Sequence, residues 1–238
     1  MHNKKIKKVP GTIFALFFLL FLSCEAGIEG ALAADGSVAL TVNSGLFPRA
    51  ASLIQNLFNA AGQEGQALDG PSIARSMAGA PGLSFAEFRN SSSTALSGQV
   101  RISQISEFLS IAGEKGFITF EKRGSGGRCE INIDRSNGKA ILTLLSPQIN
   151  DYLNALMAPI VTEETINKDE YLVLISTFYN RSVADEIARS VIRTSIDFPG
   201  QVTSVTGGAF SARRATINVN LIDLLLLEKP LKYEVIWN

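Results

Sequence analysis

The sequence predicts an α+β fold, an antiparallel sheet with helices packed mainly on one face. Three observations carry this prediction. Apolar residues alternate with polar ones in short runs near the start of the body and through its last third. Between those runs the apolar spacing changes to that of helices. The strand-like runs are joined by Gly, Pro, Asn and Ser turns, as in hairpins, and not through regular strand-helix-strand units.

The elements follow in order. Ser37 to Asn43 places Val38, Leu40 and Val42 on one side of a strand with a wet opposite face. Pro48 opens a helix whose Ala51, Ile54, Leu57, Phe58 and Ala61 recur at helical spacing, and Gly62 closes it. A loop runs to Gly70, and Pro71 begins a short helix through Met77 that Gly79 and Pro81 end. Leu83 to Phe88 and Leu96 to Ile102 are two strands around the polar turn Asn90 to Ser93. Ile105, Phe108, Leu109 and Ala112 give a short helix, and Phe117 to Glu121 with Cys129 to Ile133 form a hairpin around Gly124, Gly126 and Gly127.

A helical middle section, 146–190, comes next. Ser146-Pro147 caps a stripe of Ile149, Leu153, Leu156 and Met157, while Ala140 to Leu145 fits either state. Asn167 with Glu170 makes a capping box ahead of Leu172, Ile175 and Phe178, and Ser182 to Ser190 adds a helix. Period two returns at Val191: Ile192, Thr194, Ile196 and Phe198, then Val202, then Ile217, Val219 and Leu221, then Leu231, Tyr233, Val235 and Trp237. Pro199-Gly200 and Gly207-Gly208 are the turns between them. With no Pro/Ser linker in it, 37–238 is expected to be one domain.

Ahead of that body stands a basic head, Lys4, Lys5, Lys7 and Lys8, and an unbroken apolar run from Ile13 to Leu22. As a helix that run reaches about 15 Å, half of the roughly 30 Å of hydrocarbon a spanning helix must cross, so residues 1–23 read as an export signal. The run ends in Ser23-Cys24. This ending resembles a relaxed lipobox of bacterial lipoproteins, with Phe21 where the stricter pattern has Leu. The resemblance implies that Cys24 becomes the acylated first residue of the mature chain, carrying palmitate-type chains. Two or more such chains are what stable anchoring to a membrane requires. Cleavage after Ala31-Leu32-Ala33 is the rival, and would release a soluble protein. The Gly- and Ala-rich stretch 24–36 reads as a flexible tether.

Composition excludes several classes of function. Removing residues 1–23 takes away four lysines and no carboxylate, so 18 Lys and Arg face 22 Asp and Glu, a net charge of about −4. A mildly acidic body without a basic run offers no footprint for nucleic acid. The single histidine, His2, lies in the signal, which excludes Ser-His-Asp and Cys-His nucleophiles and His-ligated metals from the body. No calcium-loop motif occurs, and no metal or cofactor is expected. Cys129, alternating with Ile131 and Ile133, reads as a small apolar residue on a strand's inner face.

Four features remain as candidate sites. Lys122 to Arg128 combines glycines with three cations and could receive an anion, or could be a plain hairpin tip. The pairs Glu163-Glu164 and Asp185-Glu186 could serve acid-base chemistry on a glycan, or be solvated faces and first-turn charges. Leu224, Leu225, Leu226 and Leu227 could form an exposed apolar lip that binds a ligand, or be buried between sheet and helices. Trp237 reads as an anchor at the edge of the core. The triplets at Asn90 and Asn180 fit glycosylation, which the lipobox speaks against.

The segment Phe198-Pro199-Gly200-Gln201-Val202, the glycine pair downstream and the closing Val235-Ile236-Trp237 resemble LppM-like envelope domains. The resemblance covers only the last 40 residues or so and departs from the family by inserting Asp223 to Pro230 before the final strand. It implies a place in the cell envelope and brings no established catalytic motif. Together these readings give a noncatalytic, membrane-anchored lipoprotein that faces the periplasm or the cell surface and acts as a binding or structural module for a lipid or an envelope protein. One alternative is a carrier with an apolar cavity of a few hundred Å³, lined by the helical stripes and the four leucines. The other is a carboxylate-dependent hydrolase.

Overall fold

The structure is a computed structural model that describes residues 25–60, 69–114, 116–142, 150 and 153–238. The expected export signal, Cys24, the loop after the first long helix, and the expected Ser146-Pro147 cap with Ile149 lie outside the described residues.

The α+β class holds. In chain order the described elements are β1 (Glu25–Leu32), β2 (Val38–Gly45), α1 (Pro48–Ala60), α2 (Gly70–Met77), β3 (Leu83–Ser92), β4 (Ala95–Ile102), α3 (Ile105–Glu114), β5 (Ile118–Arg123), β6 (Gly126–Ile133), α4 (Arg135–Leu142), α5 (Pro159–Thr162), α6 (Lys168–Phe178), α7 (Arg181–Arg189), β7 (Val191–Asp197), β8 (Val202–Thr206), β9 (Gly208–Ser211), β10 (Arg214–Asn220), α8 (Leu221–Leu226) and β11 (Leu231–Trp237). They build two sheets, a seven-stranded one ordered β3-β4-β2-β1-β7-β10-β9 and a four-stranded one ordered β5-β6-β11-β8. All strand pairs are antiparallel except β1 with β7.

The stretch read as a flexible tether is corrected by this arrangement. Residues 25–32 form β1, which lies inside the larger sheet with Glu25 opposite both Gly45 and Val191. Ala26, Ile28 and Leu32 are buried on one face, while Glu29 and Ala31 lie exposed on the other. Glycine and alanine lower the β propensity of the segment, but the period of two survives, and pairing on both sides supplies the order. Gly30 has a specific role in that packing. A Cβ there would stand 2.3 Å from the Ala39 carbonyl oxygen and 2.6 Å from Leu40 Cδ2, so its bareness lets β2 and the Leu40 side chain close over β1.

Local chemistry fixes the helices as the sequence indicates. Asn167 Oδ1 accepts from the Glu170 N–H at 3.0 Å and Glu170 Oε2 accepts from the Asn167 N–H at 3.0 Å, a complete capping box for α6. Asp69 caps α2 by accepting from the Ser72 N–H, and Asn180 caps α7 by accepting from the Val183 N–H. Helix α6 turns a different stripe inward from the one expected. Tyr171 and Ile175 are buried, with the Tyr171 hydroxyl donating to the Leu156 carbonyl at 2.9 Å, whereas Phe178 is 65% exposed. The expected strand through Leu221 stops at Asn220, where α8 begins.

Gly30→Ala is expected to lower unfolding stability by about 2 kcal/mol or more, because the backbone of β2 must move to admit the methyl group. Urea denaturation of the variant beside the wild type measures this, with the midpoint falling and the slope unchanged.

Candidate functional site: an apolar cavity between the sheets

The inner faces of the two sheets are built by period-two alternation. In the larger sheet Ile28 of β1 faces Val42 and Thr194 in register, and Thr194 faces Ile217 of β10. In the smaller sheet Ile118 faces Ile131, Phe120 faces Cys129, and Cys129 faces Val235. Ile105, Phe108 and Leu109 of α3 cover one side. These groups do not fill the space between them. They line a partly open cavity of about 150 Å³ whose wall offers no polar surface, with Ala215, Phe198 and Leu40 completing it.

Small residues explain why the gap persists. Ala215 and Cys129 are short where their neighbours are branched or aromatic. The first turn of α3 is held at its position by a tight approach to Gly82. That residue lies at φ +70, and a Cβ on it would fall 2.3 Å from the Gln104 carbonyl oxygen. An apolar space of this size admits a guest about as large as benzene.

Cys129 is the one ionisable group in the wall. Burial, with the Glu130 carboxylate adding to it, pushes its thiol up to about 12, so it stands in the cavity as a neutral, inert group. This matches the reading of Cys129 as a small apolar residue.

The residues singled out from sequence lie elsewhere. Leu224, Leu225, Leu226 and Leu227 make no exposed lip: all four are buried, and none lines the cavity. They pack in and just after α8. Leu227 closes the helix at φ 44, and Arg135 donates to the Leu226 and Leu227 carbonyls at 3.4 and 3.2 Å. The apolar cavity lies between the sheets and is smaller than the few hundred Å³ expected of a carrier.

The cations of the Lys122 to Arg128 hairpin are largely matched by carboxylates. Arg123 pairs with Glu121 at 3.0 Å, and Arg128 lies between Glu130, at 2.7 Å, and Glu234. Glu186 is buried, contrary to a solvated face, and its carboxylate accepts from the Arg49 and Ala50 N–H groups at the start of α1, at 3.3 and 2.9 Å. Asp185 meets Arg181 at 3.9 Å, and Glu163 sits in a left-handed turn after α5. A shallow trough of about 410 Å³ on the outer face of the larger sheet does hold two carboxylates, Glu29 and Asp197. Asp197 there is gripped by both donors of Arg214, at 2.9 and 2.6 Å, which hold its carboxyl below the ordinary range as a fixed anion.

Trp237 is an anchor, as expected. Its ring lies 4.8 Å from Phe198 and 6.0 Å from Phe120, and Gly127 leaves room for it, since a Cβ there would be 2.4 Å from the indole. Among the described residues no three His, Cys, Asp or Glu side chains group as a metal site, and no helix is long and apolar enough to cross a membrane.

No family model matches the chain, and no curated protein matches it. Among solved structures it is similar to the folded domain of the LppM protein of Mycobacterium tuberculosis, determined by NMR. The two share 11% identity over 90% of this chain and 88% of that one, with a TM-score of 0.43.

The wall chemistry predicts how Cys129 behaves. A thiol reagent at pH 8 is expected to leave the folded protein unmodified and to label Cys129 after denaturation, read by intact mass. Because the folded state keeps the proton that an unfolded chain releases near 9.0, stability from this group falls as pH rises from 9.0 towards about 12.

Proposed function

We propose that the chain is a noncatalytic lipoprotein of the cell envelope, anchored through an acylated Cys24, whose body binds a small apolar group in the cavity between its sheets. The observation that carries the binding reading is the partly open pocket of about 150 Å³ between the sheets, whose wall offers no polar surface. Close packing is the rule in protein interiors, and an unfilled hydrocarbon space leaves its lining without dispersion partners. A hydrocarbon guest restores those contacts without needing a polar group in the wall.

The noncatalytic reading rests on the chemistry of the side chains. The thiol in the cavity is held protonated, and Asp197 and Glu186 are committed to Arg214 and to the α1 amides. The membrane anchor rests on the apolar run that ends at Cys24.

Two measurements test the proposal separately. Cys24→Ala is expected to lose the acyl mass and to leave the detergent phase in partitioning, and a variant that partitions like the wild type refutes the anchor. Saturating the protein with benzene is expected to raise its Tm by roughly 2–4 °C for each kcal/mol of linked binding energy. Ala215→Leu, which fills the void, should abolish that shift while raising the ligand-free stability by about 0.5–2 kcal/mol. Equal benzene shifts in both proteins, or none in the wild type, would make the body a scaffold and not a binding module.

A further inference from the structure

β1 fills the slot between β2 and β7, and its pairing with both starts at its first residue. Glu25 stands opposite Gly45 on one side and Val191 on the other, and the registers run on to Leu32 with Val38 and to Ala31 with Asp197. Ala26, Ile28 and Leu32 are buried, and Ile28 and Leu32 belong to the cavity wall. The chain then turns at once. The Ala33 N–H donates to the Ser37 carbonyl at 2.8 Å, and the Ala33 carbonyl accepts from the Gly36 N–H at 3.0 Å. The Gly36 carbonyl in turn accepts from the Ile105 N–H at 3.0 Å, which ties this turn to α3.

The last three residues before this turn, Ala31-Leu32-Ala33, also match the small-x-small pattern at which a signal peptidase cuts. A chain cut there would begin at Ala34 and lose the whole of β1. Neighbouring strands lie about 4.8 Å apart, so β2 and β7 would be left roughly 10 Å from each other, too far to hydrogen-bond. Each would then carry a row of unpaired N–H and C=O groups. The cavity would lose Ile28 and Leu32 from its wall. In the folded chain the motif is also out of reach. A peptidase takes the residues before the scissile bond as an extended strand through their backbone edge, and both edges of β1 are occupied by β2 and β7. The alanines have reasons of their own in the fold: Ala31 floors the outer trough beside Ala39, and Ala33 opens the turn.

We propose that the exported chain is processed ahead of Glu25, and that Ala31-Leu32-Ala33 belongs to the binding body and is not a processing site. The proposal rests on the reading of residues 1–23 as an export signal, and it is independent of whether Cys24 is acylated. The position of the cut then decides whether the protein can bind. A chain that begins at or before Glu25 carries the strand that unites the larger sheet and supplies part of the cavity wall, whereas one that begins at Ala34 lacks it.

The test uses the full chain, exported in a bacterial host, with the N-terminus of the folded product read by intact mass and peptide mapping. The product is expected to retain Glu25 to Ala33. Folded protein that begins at Ala34, or that keeps Met1, overturns the proposal. The same mass reports acylation separately: a chain that begins at Cys24 or Glu25 without acyl mass refutes the anchor and leaves the processing position standing. Ala33→Glu places a charged side chain at an exposed position directly before the Ala33–Ala34 bond, where a signal peptidase needs a small residue. This variant is expected to show the wild-type N-terminus and yield, and accumulation of uncleaved precursor overturns the proposal. A recognition sequence for a site-specific protease, inserted between Ala34 and Asp35, allows β1 to be severed in the purified folded protein. The severed strand is expected to stay bound through gel filtration and to leave only in denaturant. Its release from a body that keeps its Tm removes the need for β1, and the proposal with it.

Discussion

The pairing of β1 on both of its edges is the constraint from which the rest of this architecture follows. On one side β1 holds the antiparallel run β2-β4-β3, and on the other the run β7-β10-β9. Without it the larger sheet would be two separate pieces, each with an open edge and half an apolar face. The approach of β2 over Gly30 makes the pairing close, and Ile28 and Leu32 on either side of that glycine form part of the cavity wall. The same strand therefore unites the sheet and supplies part of the cavity wall.

That gap and the charges around it divide the molecule by chemistry. Inside, the wall has no polar surface, and the one group that could ionise, Cys129, is kept neutral by its surroundings. Outside, the central rows of the larger sheet carry Glu29, Thr41, Gln99, Arg101, Asp197 and Arg214 around a trough floored by Ala31 and Ala39. A sheet one face of which is dry and the other richly charged gains specificity of register, because a slip by one residue would put Asp197 and Glu29 into hydrocarbon.

Much of this was legible in the sequence wherever a signal is local. The capping box at Asn167 and Glu170, the Pro48 helix, the hairpin at Gly124 and the alternation that places Cys129, Val235 and Trp237 inward all rest on near neighbours. Three features rest on distant partners, and the residues alone did not give them. Residues 25–32 look like a linker until Val191–Asp197 pair with them. Glu186 looks like a surface acid until the amides of α1 arrive. The leucines after Asp223 leave lip and burial both open until Arg135 caps their carbonyls and α8 closes on α5 and α7. The cavity is harder still. Its lining is an ordinary set of strand residues, and which of them fail to touch depends on the separation of two sheets, a quantity no spacing encodes.

The parallel pairing of β1 with β7 also sets an order of assembly. β1 can fold against β2 as soon as both have been made, but its other edge waits for Val191–Asp197, which arrive after the helical middle of the chain. During that interval the hairpin presents an unpaired strand with the apolar face of Ala26, Ile28 and Leu32 exposed, a surface open to association with any neighbouring chain. A protein built in this way depends on its later half being delivered promptly, or on a chaperone that shields the early hairpin. That early edge is closed only when the later half of the chain has been made.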